Sequence, residues 1–201
     1  AVGVVGDADS LYSMMKNMIM DIISRQYYGD ICIYALLDDN IGKYNWLRGI
    51  KALNSSNGNR NIVCDQESKN RVFENLYKEL SIRKDEKVHG RFNIIIVMQD
   101  YGIKSHPISK FIEHAELDTV FIFFESKLSL LPLYCSRIID IFDNESAMIY
   151  DSVNKTQKKY FEYENIPDWR VQKAVSILEP VECEEISLAG SLRKNISLFE
   201  L

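Results

Sequence analysis

Gly6-Asp7-Ala8-Asp9-Ser10 stands between a short apolar run, Val2-Gly3-Val4-Val5, and a stretch over residues 11–23 that reads as a helix. A turn between a strand and a helix is a place where backbone N–H groups converge on a phosphate, helped by the positive end of the helix dipole. The loop that does this in nucleotide hydrolases, G-x-x-x-x-G-K-[ST], uses glycines to wrap the phosphate and a Lys to reach the β/γ-phosphates. Here the turn has one Gly, no Lys and two carboxylates. Asp7 and Asp9 already supply the negative charge that a helix N-terminus favours, and they repel a triphosphate. Gly6, Asp7, Asp9 and Ser10, with Asp100 farther along, form a degenerate nucleotide site with no assigned catalytic residue and no metal set. Ser10 can bond a metal or cap the helix, and capping is the commoner use of a Ser at that place.

Asp100 follows the strongest apolar run of the chain, residues 92–98, and so sits where a Mg²⁺-holding carboxylate ends its strand in active hydrolases. It comes after Gln99 and before Tyr101, with no second carboxylate directly following. His106 near Asp100 could exchange a proton with it, but a cap or loop hydrogen bond is the plainer role. His106 and His114 are eight residues apart, which is not the i, i+4 spacing of a metal pair, and His89 lies in a polar connector. No G-x-S-x-G elbow occurs. Cys32, Cys64, Cys135 and Cys183 lack zinc spacing and read as reduced thiols, Cys32 as a small buried hydrophobe. Asp38-Asp39-Asn40 ends another apolar run, at the edge where open α/β sheets bind ligands; a turn cluster is the simpler reading.

The elements that must position these residues alternate. Strands are expected at residues 2–5, 30–37, 61–65, 92–98 and 119–124, and helices at 10–26, 44–53, 67–83, 105–117, 129–142 and 167–178. Leu11, Met14, Met15, Met18, Ile19, Ile22 and Ile23 recur at i, i+3, i+4 spacing, so the first helix has one apolar face. Four methionines between Met14 and Met20 could make a partner surface, but core packing is the more ordinary use. Val72, Phe73, Leu76 and Leu80 point inward from the third helix, and Val171, Ala174, Val175 and Leu178 from the last. Residues 145–153 and 158–163 read as a peripheral hairpin. Runs that are apolar on both sides belong to a parallel sheet covered on both faces. The fold expected is therefore a three-layer α/β/α domain with a mostly parallel sheet, RecA/P-loop-ATPase-like without a functional Walker A loop. It spans residues 1–181, and residues 182–201 are a linker toward a following module.

The 201 residues carry a net charge of −5, with 46% hydrophobic and 26% charged residues. That fits a globular core and lacks the basic footprint of a nucleic-acid binder. No run of about 18 apolar residues is present to span a bilayer, and a first residue of Ala reads as a piece of a longer chain.

Three stretches resemble one family: Gly3-Val4-Val5-Gly6-Asp7 with its helix and the 30–39 strand leading to Trp46-Leu47-Arg48; the strand 94–100 followed by His106-Pro107-Ile108; and the ending from Ile186 to Leu201. Together they resemble the ATPase-like domain that precedes the first ATPase module in the FtsK/SpoIIIE-type ATPases of type VII secretion, the EssC/EccC group. The resemblance implies a non-catalytic coupling domain on the cytoplasmic face of a bacterial membrane, held there by segments outside these residues. ATP and Mg²⁺ would act in downstream domains of the parent protein, and this domain would need no cofactor. Its partners would be other components of the secretion machinery and the following ATPase domain, in an oligomeric assembly. The alternative is a divergent nucleotide-binding or hydrolysing domain that uses Ser10, Asp100 and a Lys or Arg donated from elsewhere. A third possibility is a stand-alone binding module with its ligand over Asp38 and Asp39.

Overall fold

Phe92–Val97 (β4) is apolar on both sides of its pleat, and the sheet is built around that property. In the computed structural model, residues 1–182 are described except 39, 56, 57, 144 and 155. The other strands are β1 (Val2–Val5), β2 (Ile31–Leu36), β3 (Ile62–Val63), β5 (Thr119–Glu125), β6 (Arg137–Ile141), β7 (Ser146–Asp151) and β8 (Lys159–Glu162). They form one sheet in the order β3-β2-β4-β5-β1-β6-β7-β8. The first six run parallel, and β6-β7-β8 are antiparallel.

Successive side chains alternate across a strand, so each central strand feeds two cores. Ile33, Ala35, Ile94, Ile96 and Ile122 face α1 (Ala8–Arg25), the turns at 41–53 and α3 (Asp168–Leu178). Tyr34, Leu36, Ile95, Val97, Phe121 and Phe123 face α2 (Gln66–Glu86) and the turns at 107–117. The fold is the expected three-layer α/β/α arrangement with a mostly parallel, RecA/P-loop-like sheet. The methionine-rich face of α1 is core, with Met14 and Met15 buried against the sheet. The 146–162 hairpin lies at the sheet margin, as read from the sequence.

Four segments differ from the sequence reading. Residues 129–142 are not a helix: a single 3-10 turn at Leu128–Leu130 gives way at Leu131, which is extended ahead of Pro132, and β6 follows. A residue before Pro is driven out of the helical region, and Ile138, Ile139 and Ile141 then bury on alternate faces beside β1. Residues 105–117 form two short 3-10 turns, Pro107–Phe111 and Ala115–Leu117, closed by Asp118 in the left-handed region at φ 50°. The 44–53 helix is likewise two 3-10 pieces, Ile41–Gly49 and Lys51–Leu53, broken at extended Ile50. Leu178 does not point inward but is exposed, because α3 packs through Val171 and Val175. The proposed linker, residues 182–201, lies outside the described residues from 183 onward.

A polar seam covers the side of α1 that faces away from the sheet. Lys16, 5% exposed, donates from Nζ to the carbonyl of Ile166 (2.8 Å) and to Asp168 Oδ1 (2.7 Å). Ser13 Oγ donates to Asn165 Oδ1 and Asn17 Nδ2 to the carbonyl of Glu164. Tyr12 donates to the carbonyl of Lys43 and accepts from Trp46 Nε1. These bonds lock the approach to α3 across α1.

Ile96 is 1% exposed at the centre of the sheet. Ile96→Ala is expected to lower unfolding free energy by about 2–5 kcal/mol in urea titration. Ile177→Ala, 60% exposed on α3, should change it by no more than about 0.5 kcal/mol.

Candidate functional site

The corner between β1 and α1 is built as a phosphate loop would be and then filled from within. Gly6 N–H donates to the carbonyl of Glu125, the residue opposite Val5 at the end of β5. Asp7 is the N-cap of α1: its Oδ1 accepts from the N–H of Asp9 (3.0 Å) and Ser10 (3.1 Å), and its Oδ2 accepts from Ser10 Oγ (2.7 Å). The helix-start N–H groups that would hold a phosphate oxygen hold a carboxylate oxygen instead. The cap is thus Asp7 rather than Ser10, and Ser10, 1% exposed in the first turn, braces it. The Ser10 hydroxyl and the two N–H groups hold the Asp7 carboxyl below the usual carboxylate range. Gly6 is in a close approach rather than a phosphate-wrapping bend, since a Cβ there would come within 3.2 Å of Ile141 Cβ.

Acidic groups continue along this edge. Tyr163 donates to the carbonyl of Asp143, and its phenol is pushed up to about 12 by burial and then by the charges of Asp143 and Asp7. The groove beside it is lined by Asp143, Glu145, Glu162 and Glu164. An approaching phosphate meets like charge here, at roughly 1 kcal/mol per carboxylate at about 4 Å in water and more where water is excluded.

Asp100 lies two strands away from this corner, with β5 between β4 and β1. It closes a tight turn: its carbonyl accepts from Ile103 N–H (2.8 Å) and its Oδ1 from Lys104 N–H (3.3 Å), while Tyr101 and Gly102 take positive φ. No hydrogen bond among the described residues joins Asp100 to the 6–10 turn. The same loop places a cation that the sequence reading did not single out. Lys104 Nζ donates to Glu125 Oε1 (2.7 Å) and to the carbonyl of Leu130 (2.9 Å). Glu125 is the residue whose backbone receives Gly6, so Lys104 stands at the β1/β5 edge. The available signal was a Lys four residues after a strand-ending acid, and it meant little without the pairing of β5 with β1.

The other candidates are structural. His106 Nδ1 accepts from Ile108 N–H (3.2 Å) as the cap of the 107–111 turn, with its ring edge-on to Phe73; it is not paired with Asp100. His89 bonds Asp118, and His114 lies between Glu116 and Lys84. No group of three or more potential metal ligands occurs among the described residues. Asp38 accepts from Asn40 N–H and Tyr44 OH, a turn cluster as read; Asp39 is outside the described residues. Cys32 and Cys135 are buried and free, and Cys64 is free and half-buried. Cys183 lies outside the described residues.

Fold and corner together define an α/β domain of the RecA/P-loop type in which a side-chain carboxylate sits at the start of the first helix. No protein-family model matches the sequence, and no curated protein does. Among solved structures, the fold is similar to that described as the cytoplasmic domain of EssC, with a TM-score of 0.60 and 11% sequence identity. The match covers 89% of this chain and 44% of that one, so this chain spans less than half the length of the protein it resembles.

Removing the Asp7 cap should cost about 0.5–2 kcal/mol at neutral pH. Because the folded carboxyl is depressed below its ordinary 3.8, its contribution is complete above that value and is lost as pH falls through the folded pKa. The stability gap between wild type and Asp7→Ala, read from urea melts, should therefore shrink as the solution is acidified below about pH 4. His106 responds to pH in the same direction, through a group that is neutral rather than charged in the folded state. Burial and then Lys69 lower its pKa from 6.5, and its Nδ1 must stay unprotonated to accept from Ile108. Stability should fall as pH drops from about 6.5 toward the depressed folded value, where the unfolded chain binds the extra proton. His106→Asn, a non-titrating cap, should flatten that slope.

Proposed function

We propose that this domain is a non-catalytic coupling module of a type VII secretion ATPase. It would connect a membrane-anchored portion to ATPase modules that follow it. One observation carries the reading: the Asp7 carboxylate is bonded to the helix-start N–H groups that a nucleotide phosphate would need. The resemblance of residues 3–7, 94–100 and 106–108 to the EssC/EccC group supports it, and so does a fold similar to the EssC cytoplasmic domain. ATP and Mg²⁺ would be bound by downstream domains, with partners drawn from the secretion machinery and the following module, in an oligomer. No helix among the described residues is long and apolar enough to cross a membrane. The domain would therefore sit at the cytoplasmic face through segments outside it.

A second reading keeps a nucleotide at the corner, and Lys104 favours it. Its ammonium lies at the β1/β5 edge and could meet a phosphate if it left Glu125. In that case Ser10 and Asp100 would serve the metal.

Calorimetric titration of the 201-residue chain with Mg-ATP, alongside ATP turnover by the full-length protein with and without this domain, tests the proposal. The expected results are no binding in the micromolar range and an altered turnover on deletion. Micromolar binding that disappears in both Lys104→Ala and Asp100→Ala would establish the second reading instead. Turnover indifferent to the deletion would remove the coupling role.

A further inference from the structure

β8 is the outermost strand of the sheet, and its outer edge pairs with no other strand among the described residues. Its bonding pattern fixes which groups that edge presents. Tyr163 N–H donates to the carbonyl of Glu145 (2.8 Å), so the odd-numbered residues of this antiparallel ribbon bond inward to β7. The N–H and C=O groups of Lys158, Tyr160 and Glu162 therefore point outward, and no hydrogen bond among the described residues reaches them. Their side chains share one face, where Tyr160 stands opposite Met148 and Glu162 opposite Ser146. Tyr160 is 72% exposed and stacks on Phe142, itself 54% exposed, with ring centroids 6.1 Å apart. Neither Lys158 nor Glu162 has an ion-pair partner among the described residues.

An open strand edge is a template for another strand. The charges on this one are polarised. Lys158 and Lys159 lie at its start, and Glu162 lies at its end beside the groove of Asp143 and Glu145. A parallel copy would set like charge against like. An antiparallel copy, related by a two-fold axis normal to the sheet, sets unlike charges together and keeps outward-bonding residues opposite one another. Centred on Tyr160, it places Lys158 opposite Glu162 on both sides of the axis. It also places Tyr160 opposite its own counterpart, which extends the Phe142–Tyr160 stack across the join. Centred one residue earlier, Lys159 opposes Lys159; centred one later, Lys158 meets Glu164, which Arg170 already holds.

We propose that β8 is a homodimerisation edge: two copies of this chain join their sheets by antiparallel β8–β8 pairing centred on Tyr160. Main-chain bonds at Lys158, Tyr160 and Glu162 supply the affinity, and the Lys158–Glu162 pairs set the register. The contact is short, so the dimer is a weak one, formed in the micromolar range. The inference stands on this edge alone and does not depend on the coupling role.

Sedimentation velocity of the 201-residue chain, from about 5 to about 500 µM, tests it. The wild type should pass from monomer to dimer as concentration rises. Tyr160→Pro removes an outward N–H and no bond to β7, and it should stay monomeric with its circular dichroism spectrum intact. Lys158→Glu and Glu162→Lys, both at exposed positions, should each weaken the dimer about tenfold, because like charges then face each other. Mixing the two single variants, or combining both changes in one chain, should restore it. That rescue decides the case even if Tyr160→Pro does not fold. A monomer at every concentration, a dimer indifferent to charge reversal, or reversal without rescue would overturn the proposal. So would a dimer that survives in folded Tyr160→Pro, since the contact would then lie elsewhere.

Discussion

The central strands have no face to show to water. Ile33, Ala35, Ile94 and Ile96 point one way, Tyr34, Leu36, Ile95 and Val97 the other, and all are buried. Hydrophobic burial at about 25 cal/mol per Å² therefore demands a helical layer on each side, and the parallel order supplies both through its crossover connections. The two helical layers, the loops at the strand ends and the site edge all follow from that constraint. It also explains why the margin of the sheet is different in kind. β8 carries Lys159, Tyr160, Phe161 and Glu162, none of them buried, and antiparallel pairing tolerates that half-solvated ribbon.

The corner at residues 6–10 has the geometry of an anion site and contains its own anion. A helix N-terminus with unsatisfied N–H groups attracts negative charge wherever it comes from. A covalently attached carboxylate three residues from Ser10 has an effective concentration that a dissolved phosphate cannot match. Once Asp7 is seated, Asp143, Glu145, Glu162 and Glu164 on the neighbouring ribbon and its flank add to the same sign of charge. Lys104 is the compensating cation, yet it is held by Glu125 and by the carbonyl of Leu130. At this part of the edge where open α/β sheets bind ligands, the charged groups are held by caps and ion pairs of the chain itself.

Burying Lys16 is costly unless its charge is met. It is met by Asp168, half-exposed at the start of α3, and by the carbonyl of Ile166. Desolvation of the ammonium is thereby offset by a partner that stays partly in water, a gentler arrangement than a pair sealed in the core. The result is directional: the segment leading to α3 can lie across α1 in one register, with Ser13 and Asn17 each bonded to a residue of 164–165.

Local pattern in the sequence was enough for the buried strands, for α1 and α2, and for the parallel class of the sheet, because these depend on apolar periodicity within a few residues. It was enough, too, for the missing Lys and the surplus carboxylates at Gly6–Ser10, since these are residue types read directly from the turn. Three things depended on partners far along the chain. Residues 137–141 became a strand because β1 offered an unpaired edge, against a pattern that also suits a helix. Ser13 and Lys16 lie outside the apolar set read for the first helix, yet they are covered by residues about 150 positions later. Lys104 was brought to the corner by the pairing of β5 with β1, through Glu125. A residue's polarity is written in the sequence; whether water or another part of the chain satisfies it is decided only when the layers close.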